Sequence, residues 1–288
     1  MTEKHIDDVS GVRTTGHEWD GIRELDNPMP RWWVWTFYAT IIWSLGYVIA
    51  FPAWPLLKTS TQGVLGYSSR AEVDRDLQAA SAEMDVYQTA IRERTMDDIL
   101  ADEALRPIAI AAGAAAFKMN CVQCHGSGAE GSKGFPNLND DDWMWGGNPD
   151  QIRQTIAHGI RFTKDGETRD SLMPPFADVL EPAQIAQVSA FVASLSGPVR
   201  DPSLIAAGKT VFAENCAACH GDNAKGNREM GAPNLTDAIW LYGSGEASIA
   251  AQVRAPRAGV MPAWNDRLGE TTVKELATFV HELGGGEK

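Results

Sequence analysis

Positive charge is scarce in this chain of 288 residues. Lysine and arginine total 25 against 38 aspartate and glutamate residues, which gives a formal net charge of −13 at pH 7 with histidine neutral. Proteins bind nucleic acid mainly through basic patches that neutralise phosphates, so this balance argues against a nucleic-acid partner. An acidic surface is compatible with a basic protein partner, although it also simply keeps a protein soluble. The length leaves room for about two domains.

Spare thiols are lacking as well. The chain has four cysteines, and all of them belong to two copies of the pattern Cys-x-x-Cys-His. These copies consist of Cys121, Cys124 and His125, and of Cys216, Cys219 and His220. The pattern is typical of c-type haem attachment, in which the thiols bond to porphyrin vinyl groups and the histidine binds iron. We therefore expect two covalently bound haem c groups, with zinc ligation by the cysteines as the alternative.

One long stretch contains no charge at all. No charged residue lies between Arg31 and Lys58, and tryptophans lie near both ends of this run. About 20 apolar residues span a bilayer, and tryptophan favours its interfaces. Residues 31–57 are therefore predicted to be a transmembrane anchor in the lipid bilayer, with a helix that ends near Phe51. The alternatives are a buried core helix and a cleaved signal peptide, but a signal peptide has a shorter apolar core that begins nearer the N-terminus.

The segments that flank this anchor differ in character. Residues 1–30 are polar and predict a short, extended arm. Residues 58–104 predict a helical, solvated spacer, because 70–104 are rich in charge and alanine and contain neither glycine nor proline. The charges beside the anchor do not settle its orientation. Haem attachment in known c-type cytochromes follows export, so we expect a bacterial inner-membrane protein with a cytoplasmic N-terminus and periplasmic haem groups.

The rest of the chain is an internal repeat. The sequence Ile-Ala-Ala-Gly at 110–113 recurs at 205–208, and the dipeptide Met-Pro at 173–174 recurs at 261–262. The first copy holds extra polar residues around 162–171, which we predict to be a loop. This pattern predicts one domain over residues 105–197, a linker over 198–204 and a second domain over 205–288.

Methionine is the predicted second axial ligand of each iron. Met173 and Met261 occupy matched positions, and each precedes a proline that stiffens the backbone. A soft thioether ligand raises the reduction potential of haem iron. We assign Met173 to the first haem and Met261 to the second. His158 is the alternative for the first haem, since the second copy has Ala255 at the aligned position.

Other residues are predicted to support these sites. A metal-bound histidine usually donates its other ring N–H to a nearby acceptor, and the carbonyl groups near Pro136 and Pro233 are candidates. Trp143 and Trp240, which also recur, are candidates for lining the haem or bonding a propionate, with ordinary core packing as the alternative.

Each copy of the repeat resembles class I cytochrome c. The shared features are Gly-x3-Phe, Cys-x-x-Cys-His, Pro-Asn-Leu, Met-Pro and a last helix with Phe-Val. In that family the first and last helices cross at the glycine. The resemblance therefore implies that Gly113 and Phe117 pack against Phe191 and Leu195, and that Gly208 and Phe212 pack against Phe279 and Leu283.

The whole chain resembles subunit III of the cbb3-type cytochrome c oxidases. The distinctive residues are HEWDGIRELDNPMPRWW at 17–33, followed by one anchor and two haem motifs in that order. The resemblance implies a mainly α fold with one N-terminal transmembrane helix and two tandem class I cytochrome c domains. It also implies an electron relay from a cytochrome c donor, through a monohaem cytochrome c subunit, to a haem–copper catalytic subunit.

Two other functions remain open at this point. One is a free-standing, membrane-anchored dihaem cytochrome c that carries electrons between respiratory complexes. The other is an enzyme such as a dihaem peroxidase, which needs an iron with an open coordination position. Matched methionines argue against the second, and the N-terminal signature argues against the first.

Overall fold

The protein is seen in a computed structural model that describes residues 5–287. It is mainly helical, as predicted, and it divides into two compact units between Glu83 and Met84.

The polar N-terminal segment forms a β-hairpin, so the prediction of an extended arm is wrong. Strand β1 (Thr14–Trp19) pairs antiparallel with β2 (Ile22–Leu25). Asp20 and Gly21 form the two-residue turn, and both have positive φ, as the hairpin turn favoured by Asp-Gly requires. An ion pair of 2.7 Å between Glu18 and Arg23 joins the two strands.

The predicted anchor is a helix, α1 (Arg31–Ala50), which ends before Phe51 as expected. Its 20 residues extend about 30 Å, the thickness of a bilayer's hydrocarbon core. None of its residues is buried within the protein, and its mean hydropathy is 1.3. It is the one helix among residues 5–287 that is long and apolar enough to cross a membrane. A buried core helix is therefore excluded for this segment.

Two helices follow the anchor, α2 (Ser69–Glu93) and α3 (Met96–Ala101). The prediction of a solvated spacer is wrong for the end of this segment. Ile91, Met96 and Ile99 are each at most 1% exposed and belong to a hydrophobic core. Their apolar side chains lie close together across the turn between α2 and α3, where they pack against later helices.

A buried lysine holds the end of α2. The Nζ of Lys274 donates hydrogen bonds to the carbonyl oxygens of Arg92 at 2.7 Å and Arg94 at 2.9 Å, with Ile91 at 3.4 Å. The last carbonyls of a helix have no partner within the helix, and a basic side chain can satisfy them. Lys274 therefore attaches the end of α2 to the C-terminal helix.

The second unit contains the repeat. Its remaining helices are α4 (Leu105–Asn120), α5 (Val122–His125), α6 (Pro149–His158), α7 (Pro182–Ser194), α8 (Ile205–Asn215), α9 (Ala217–His220), α10 (Glu246–Arg254) and α11 (Asn265–His281), with a short 3₁₀ turn at Pro202–Leu204. Gly269, with φ of +79°, interrupts α11. The extra residues around 162–171 form a loop, as predicted.

The first helix of each copy packs against the last helix of the other copy, so the packing implied by the resemblance is wrong. A Cβ placed on Gly113 in α4 would clash with the carbonyl of Glu275 in α11. A Cβ on Gly208 in α8 would clash with the carbonyl of Gln187 in α7. The helices do cross at these glycines, but each crosses the helix of the other copy.

Aromatic pairs complete both crossings. The rings of Phe117 and Phe279 have centroids 5.3 Å apart, and those of Phe191 and Phe212 are also 5.3 Å apart. One hydrophobic core therefore combines α4 and α6 of the first copy with α11 of the second. The other core combines α7 of the first copy with α8 and α10 of the second.

Candidate functional site

The first Cys-x-x-Cys-His motif lies directly after α4. Cys121 caps the end of that helix, and the short α5 carries Cys124 and His125. Gly126, with φ of +81°, ends α5 and turns the chain away. The motif is thus held by a helix that is buried along one face.

A loop after the motif returns to the histidine. The N–H of Gly131 donates to the carbonyl of His125 at 2.7 Å, and the N–H of Leu138 donates to that of Ala129 at 2.8 Å. This loop places the carbonyl oxygen of Pro136 3.2 Å from Nδ1 of His125. A carbonyl can only accept, so Nδ1 carries the proton and Nε2 is left with a lone pair for a metal.

The second motif repeats this arrangement. The carbonyl oxygen of Pro233 lies 3.2 Å from Nδ1 of His220, and the N–H of Gly226 donates to the carbonyl of His220 at 2.8 Å. Ala129 and Ala224, which are equivalent, both have positive φ, of 61° and 58°. Alanine rarely adopts this conformation, and strain of this kind clusters at functional sites. The predicted acceptors of both histidines are present.

Burial sets the protonation of these groups. It lowers the pKa of both His125 and His220, while the proline carbonyls act in the opposite direction. Burial, together with the neighbouring thiol, raises the pKa of Cys121 and Cys216 to about 11. The neutral imidazoles of His125 and His220 and the protonated thiols of Cys121 and Cys216 are therefore favoured at neutral pH.

A cavity of about 760 Å³ lies beside the second motif. Cys216, Cys219 and His220 line it, and so do three methionines, Met144, Met173 and Met230. Leu235 and Trp240 are among its apolar walls. The cavity brings two thiols, an imidazole and thioether sulfur atoms together with apolar walls, which is the donor set that c-type haem requires. These residues fit the group.

The methionines are exchanged relative to the prediction. Met173, assigned from sequence to the first haem, lines the cavity of His220 and packs against the core of the second motif. Met261, assigned to the second haem, packs against the core of the first motif, which also holds Cys121 and Phe117. Each methionine follows the exchange of the helices, because it lies just before the last helix of its own copy.

His158, the alternative ligand for the first haem, has other partners. Its Nδ1 lies 3.2 Å from Oδ2 of Asp165, and its Nε2 lies 3.4 Å from Oε2 of Glu167. Both carboxylates belong to the loop of extra residues. With both ring nitrogens directed at carboxylates, His158 holds this loop to the end of α6.

The two tryptophans use their indole N–H groups on backbone carbonyls. Nε1 of Trp143 donates to Gly285 at 2.6 Å, and Nε1 of Trp240 donates to Asp237 at 3.1 Å. Both indole N–H groups are therefore bonded within the protein. Both rings pack against the cores, and Trp240 also lines the cavity.

Arg161 is a site residue that the repeat pattern of the sequence does not predict. It lines the cavity of the second motif, and burial lowers the pKa of its guanidinium. No repeated pattern could reveal it, because the aligned position in the second copy is Ala258. Its place just before the extra residues is the only signal in the sequence.

Comparisons with known proteins agree with this architecture. The family model of the N-terminal domain of cytochrome oxidase-cbb3, FixP, matches residues 11–58. The model of cytochrome c oxidase, cbb3-type, subunit III, matches twice, at residues 108–192 and 203–280. The first match covers the hairpin and the anchor, and the second covers both copies of the repeat.

Individual relatives are similar along their whole length. A cbb3-type cytochrome c oxidase subunit FixP of Sinorhizobium medicae is 62% identical over 284 residues, which covers 99% of this chain and 98% of the relative. A subunit CcoP of Cereibacter sphaeroides is 53% identical over 276 residues, covering 95% of each chain. A subunit FixP of Bradyrhizobium diazoefficiens is 52% identical over 291 residues and covers all of both. Both Cys-x-x-Cys-His motifs lie beside equivalent loops that bond the histidine to a proline carbonyl, and α1 is an apolar anchor. These features and the matches show that the chain belongs to the family of cbb3-type cytochrome c oxidase subunit III.

Proposed function

We propose that this chain is the membrane-anchored dihaem electron-transfer subunit of a cbb3-type oxidase. It accepts electrons from a cytochrome c donor and delivers them, through a monohaem cytochrome c subunit, to the haem–copper catalytic subunit. The observation that carries this proposal is the pair of equivalent sites. Each site has two thiols and a histidine whose Nδ1 is bonded to a proline carbonyl. The match of the N-terminal family model to residues 11–58 favours this role over that of a free-standing cytochrome.

The proposed cofactors are two covalently bound haem c groups. When bound, haem c supplies an iron that takes up and releases one electron. Cys121 and Cys124 would hold one group, and Cys216 and Cys219 the other. His125 and His220 would each present Nε2 to iron, because the proline carbonyls hold the proton on Nδ1.

The proposed sixth ligands are the exchanged methionines. Met261 would serve the group attached at Cys121 and Cys124, and Met173 the group attached at Cys216 and Cys219. Placement of Met173 in the cavity of His220 supports this assignment. With a histidine and a methionine at each iron, neither iron would have a coordination position open to peroxide. This arrangement would suit electron transfer and would disfavour peroxidase chemistry.

The proposed topology places α1 across the bacterial inner membrane. The hairpin would be cytoplasmic, and the unit that carries both motifs would be periplasmic, where c-type haem is attached. The lack of charge in α1 after Arg31, and the absence of buried residues in this helix, support a lipid environment. Orientation can be tested by protease treatment of intact spheroplasts, which should digest the haem unit and spare the hairpin.

The relay is tested by steady-state oxygen consumption with added reduced cytochrome c. We expect the complete complex to be active, and the complex without this chain to lose most of its activity with cytochrome c while an artificial donor still reduces the catalytic subunit. The isolated chain should consume no oxygen. Undiminished activity without this chain would overturn the relay, and rapid oxygen consumption by the isolated chain would indicate a catalytic centre of its own.

A further inference from the structure

The guanidinium of Arg161 contacts the segments that precede both methionines. Its Nε donates to the carbonyl of Gly259 at 2.7 Å, and its Nη1 donates to the carbonyl of Ser171 at 3.0 Å. Gly259 lies two residues before Met261, and Ser171 lies two residues before Met173. One side chain therefore bonds the two methionine segments, which belong to different cores.

The backbone beside Arg161 makes the same connection. Ile160 and Met261 exchange two hydrogen bonds, of 2.9 and 3.0 Å, in an antiparallel bridge. The N–H of Arg161 donates to the carbonyl of Arg169 at 2.8 Å, which draws the loop of extra residues towards the same place. That loop leads directly to Ser171 and Met173. The segment around Arg161 is thus paired with Met261 on one side and with the approach to Met173 on the other.

The conformation of Arg161 is itself unusual. Its φ is +52°, in the left-handed region that residues with a Cβ rarely adopt. Such a conformation is strained and persists only where the surrounding bonds hold it in place. The two side-chain bonds and the pairing at Ile160 and Arg169 are those bonds here.

The feature is also confined to one copy of the repeat. The extra residues around 162–171 occur only in the first copy, and the position aligned with Arg161 is Ala258 in the second. A residue that merely stabilised one cytochrome-like core would be expected in both copies. A residue that joins the two cores needs to occur only once.

We propose that Arg161 is a positioning residue that ties the two methionine segments together, so that it controls the methionine ligation of both haem groups at once. This inference rests on the proposed methionine ligands. Arginine suits the task because its planar fork directs two N–H groups at two carbonyls, whereas lysine offers a single flexible ammonium group.

The test uses the full-length chain with its haem groups, purified in detergent. Redox titration resolves the two potentials, and the red-region charge-transfer band of the ferric state reports sulfur ligation. We expect Arg161→Gln to lower both reduction potentials. It should also weaken the charge-transfer band by more than the loss of sulfur ligation at a single haem would. Arg161→Lys keeps the charge and should show a smaller shift of the same two potentials.

Arg254→Gln is the matched control, because Arg254 is exposed at the end of α10 and the change removes the same charge. It should leave both potentials and the band unchanged. The proposal is overturned if Arg161→Gln shifts the reduction potential of only one haem. It is also overturned if Arg254→Gln shifts both potentials as much as Arg161→Gln does. A variant that unfolds at lower temperature while both potentials stay at their original values overturns it as well.

Failure of the proposed ligands would look different. The unmodified chain would then lack the sulfur charge-transfer band, whatever residue stands at position 161. Should Arg161→Gln fail to accumulate, Arg161→Lys with normal potentials and a normal band would still overturn the proposal.

Discussion

Gly113 lies against the carbonyl group of Glu275, with no room for a side chain between α4 and α11. Gly208 has the same relationship to Gln187 in the other core. Glycine in a helix is about 1 kcal/mol less favourable than alanine, so its presence at both crossings reflects close approach of the helices.

Alanine at either crossing should destabilise the protein. We expect Gly113→Ala and Gly208→Ala each to lower the free energy of unfolding by about 1–3 kcal/mol, since the added methyl group must force the helices apart. Urea denaturation followed by circular dichroism measures this. Gly197→Ala is the control, because a Cβ there meets nothing within 4 Å. An increase in stability in the helical variants, as propensity alone predicts, would contradict the close crossing.

One copy of the repeat should not fold without the other. A fragment of residues 84–197 contains α4 and α7 but lacks α11 and α8, their partners in the two cores. We expect this fragment to show no cooperative thermal unfolding and to bind haem poorly, while 84–288 unfolds cooperatively. A fragment 84–197 with a sharp transition and one low-spin haem would show that each copy has a core of its own.

Removal of residues 1–57 should release the haem unit from the membrane. With a cleavable export signal in their place, residues 58–288 should be soluble and carry two haem groups. The reason is that α1 is the one helix among residues 5–287 able to span a bilayer. Fractionation with a pyridine haemochrome assay tests both points. A product that still needs detergent would reveal a further membrane contact.

The methionine exchange can be tested in a variant that keeps only the second attachment motif, Cys121→Ala with Cys124→Ala. In this background, Met173→Ala should lower the remaining potential because a soft ligand to ferrous iron is lost. Met261→Ala should leave it nearly unchanged. The opposite result would restore the assignment made from the sequence.

Asp142 should make stability depend on pH. Burial, with Asp237 and Asp140 nearby, raises the pKa of Asp142 from 3.8 to about 6. Between these values the folded protein holds a proton that the unfolded chain releases, so stability falls as pH rises through this window and stays lower above it.

Replacing Asp142 by asparagine should therefore increase stability at neutral pH. Allowing for partial exposure, we expect a gain of about 1–2 kcal/mol near pH 7 and little change near pH 4. Urea midpoints of residues 58–288 at the two pH values measure the effect. Asp85→Asn, at an exposed position on α2, is the control. Equal gains at both pH values would show that charge at Asp142 is not the cause.

The local elements of this fold were predictable from the sequence, but the pairing of helices was not. The haem motifs, the acceptors at Pro136 and Pro233 and the length of α1 follow from residue spacing and composition. The helix partners do not, because both copies carry the same glycine, phenylalanine and Met-Pro. Crossing within a copy and crossing between copies therefore bring equivalent side chains together. Only the three-dimensional path of the segments that connect the helices distinguishes crossing within a copy from crossing between copies.

The other features that the sequence did not predict have different causes. The hairpin before α1 depends on the Asp20-Gly21 turn, whose signal lies in a polar segment without an alternating apolar pattern. The burial of Ile91 depends on α11, a helix far along the chain. Arg161 acts through backbone carbonyls, which leave no trace in a comparison of side chains between copies.

The exchange of helices also bears on how the chain is made. Synthesis produces α4 early, yet its partner α11 follows all the other helices of residues 5–287, so the first core stays incomplete until α11 has emerged. Most multidomain chains fold one domain at a time as they are synthesised. Here the core of α7, α8 and α10 can close before α11 is made, whereas the core that supports the first motif stays open until α11 arrives. The thiols of Cys121 and Cys124 thus lie beside the core that closes later, although their motif is made first.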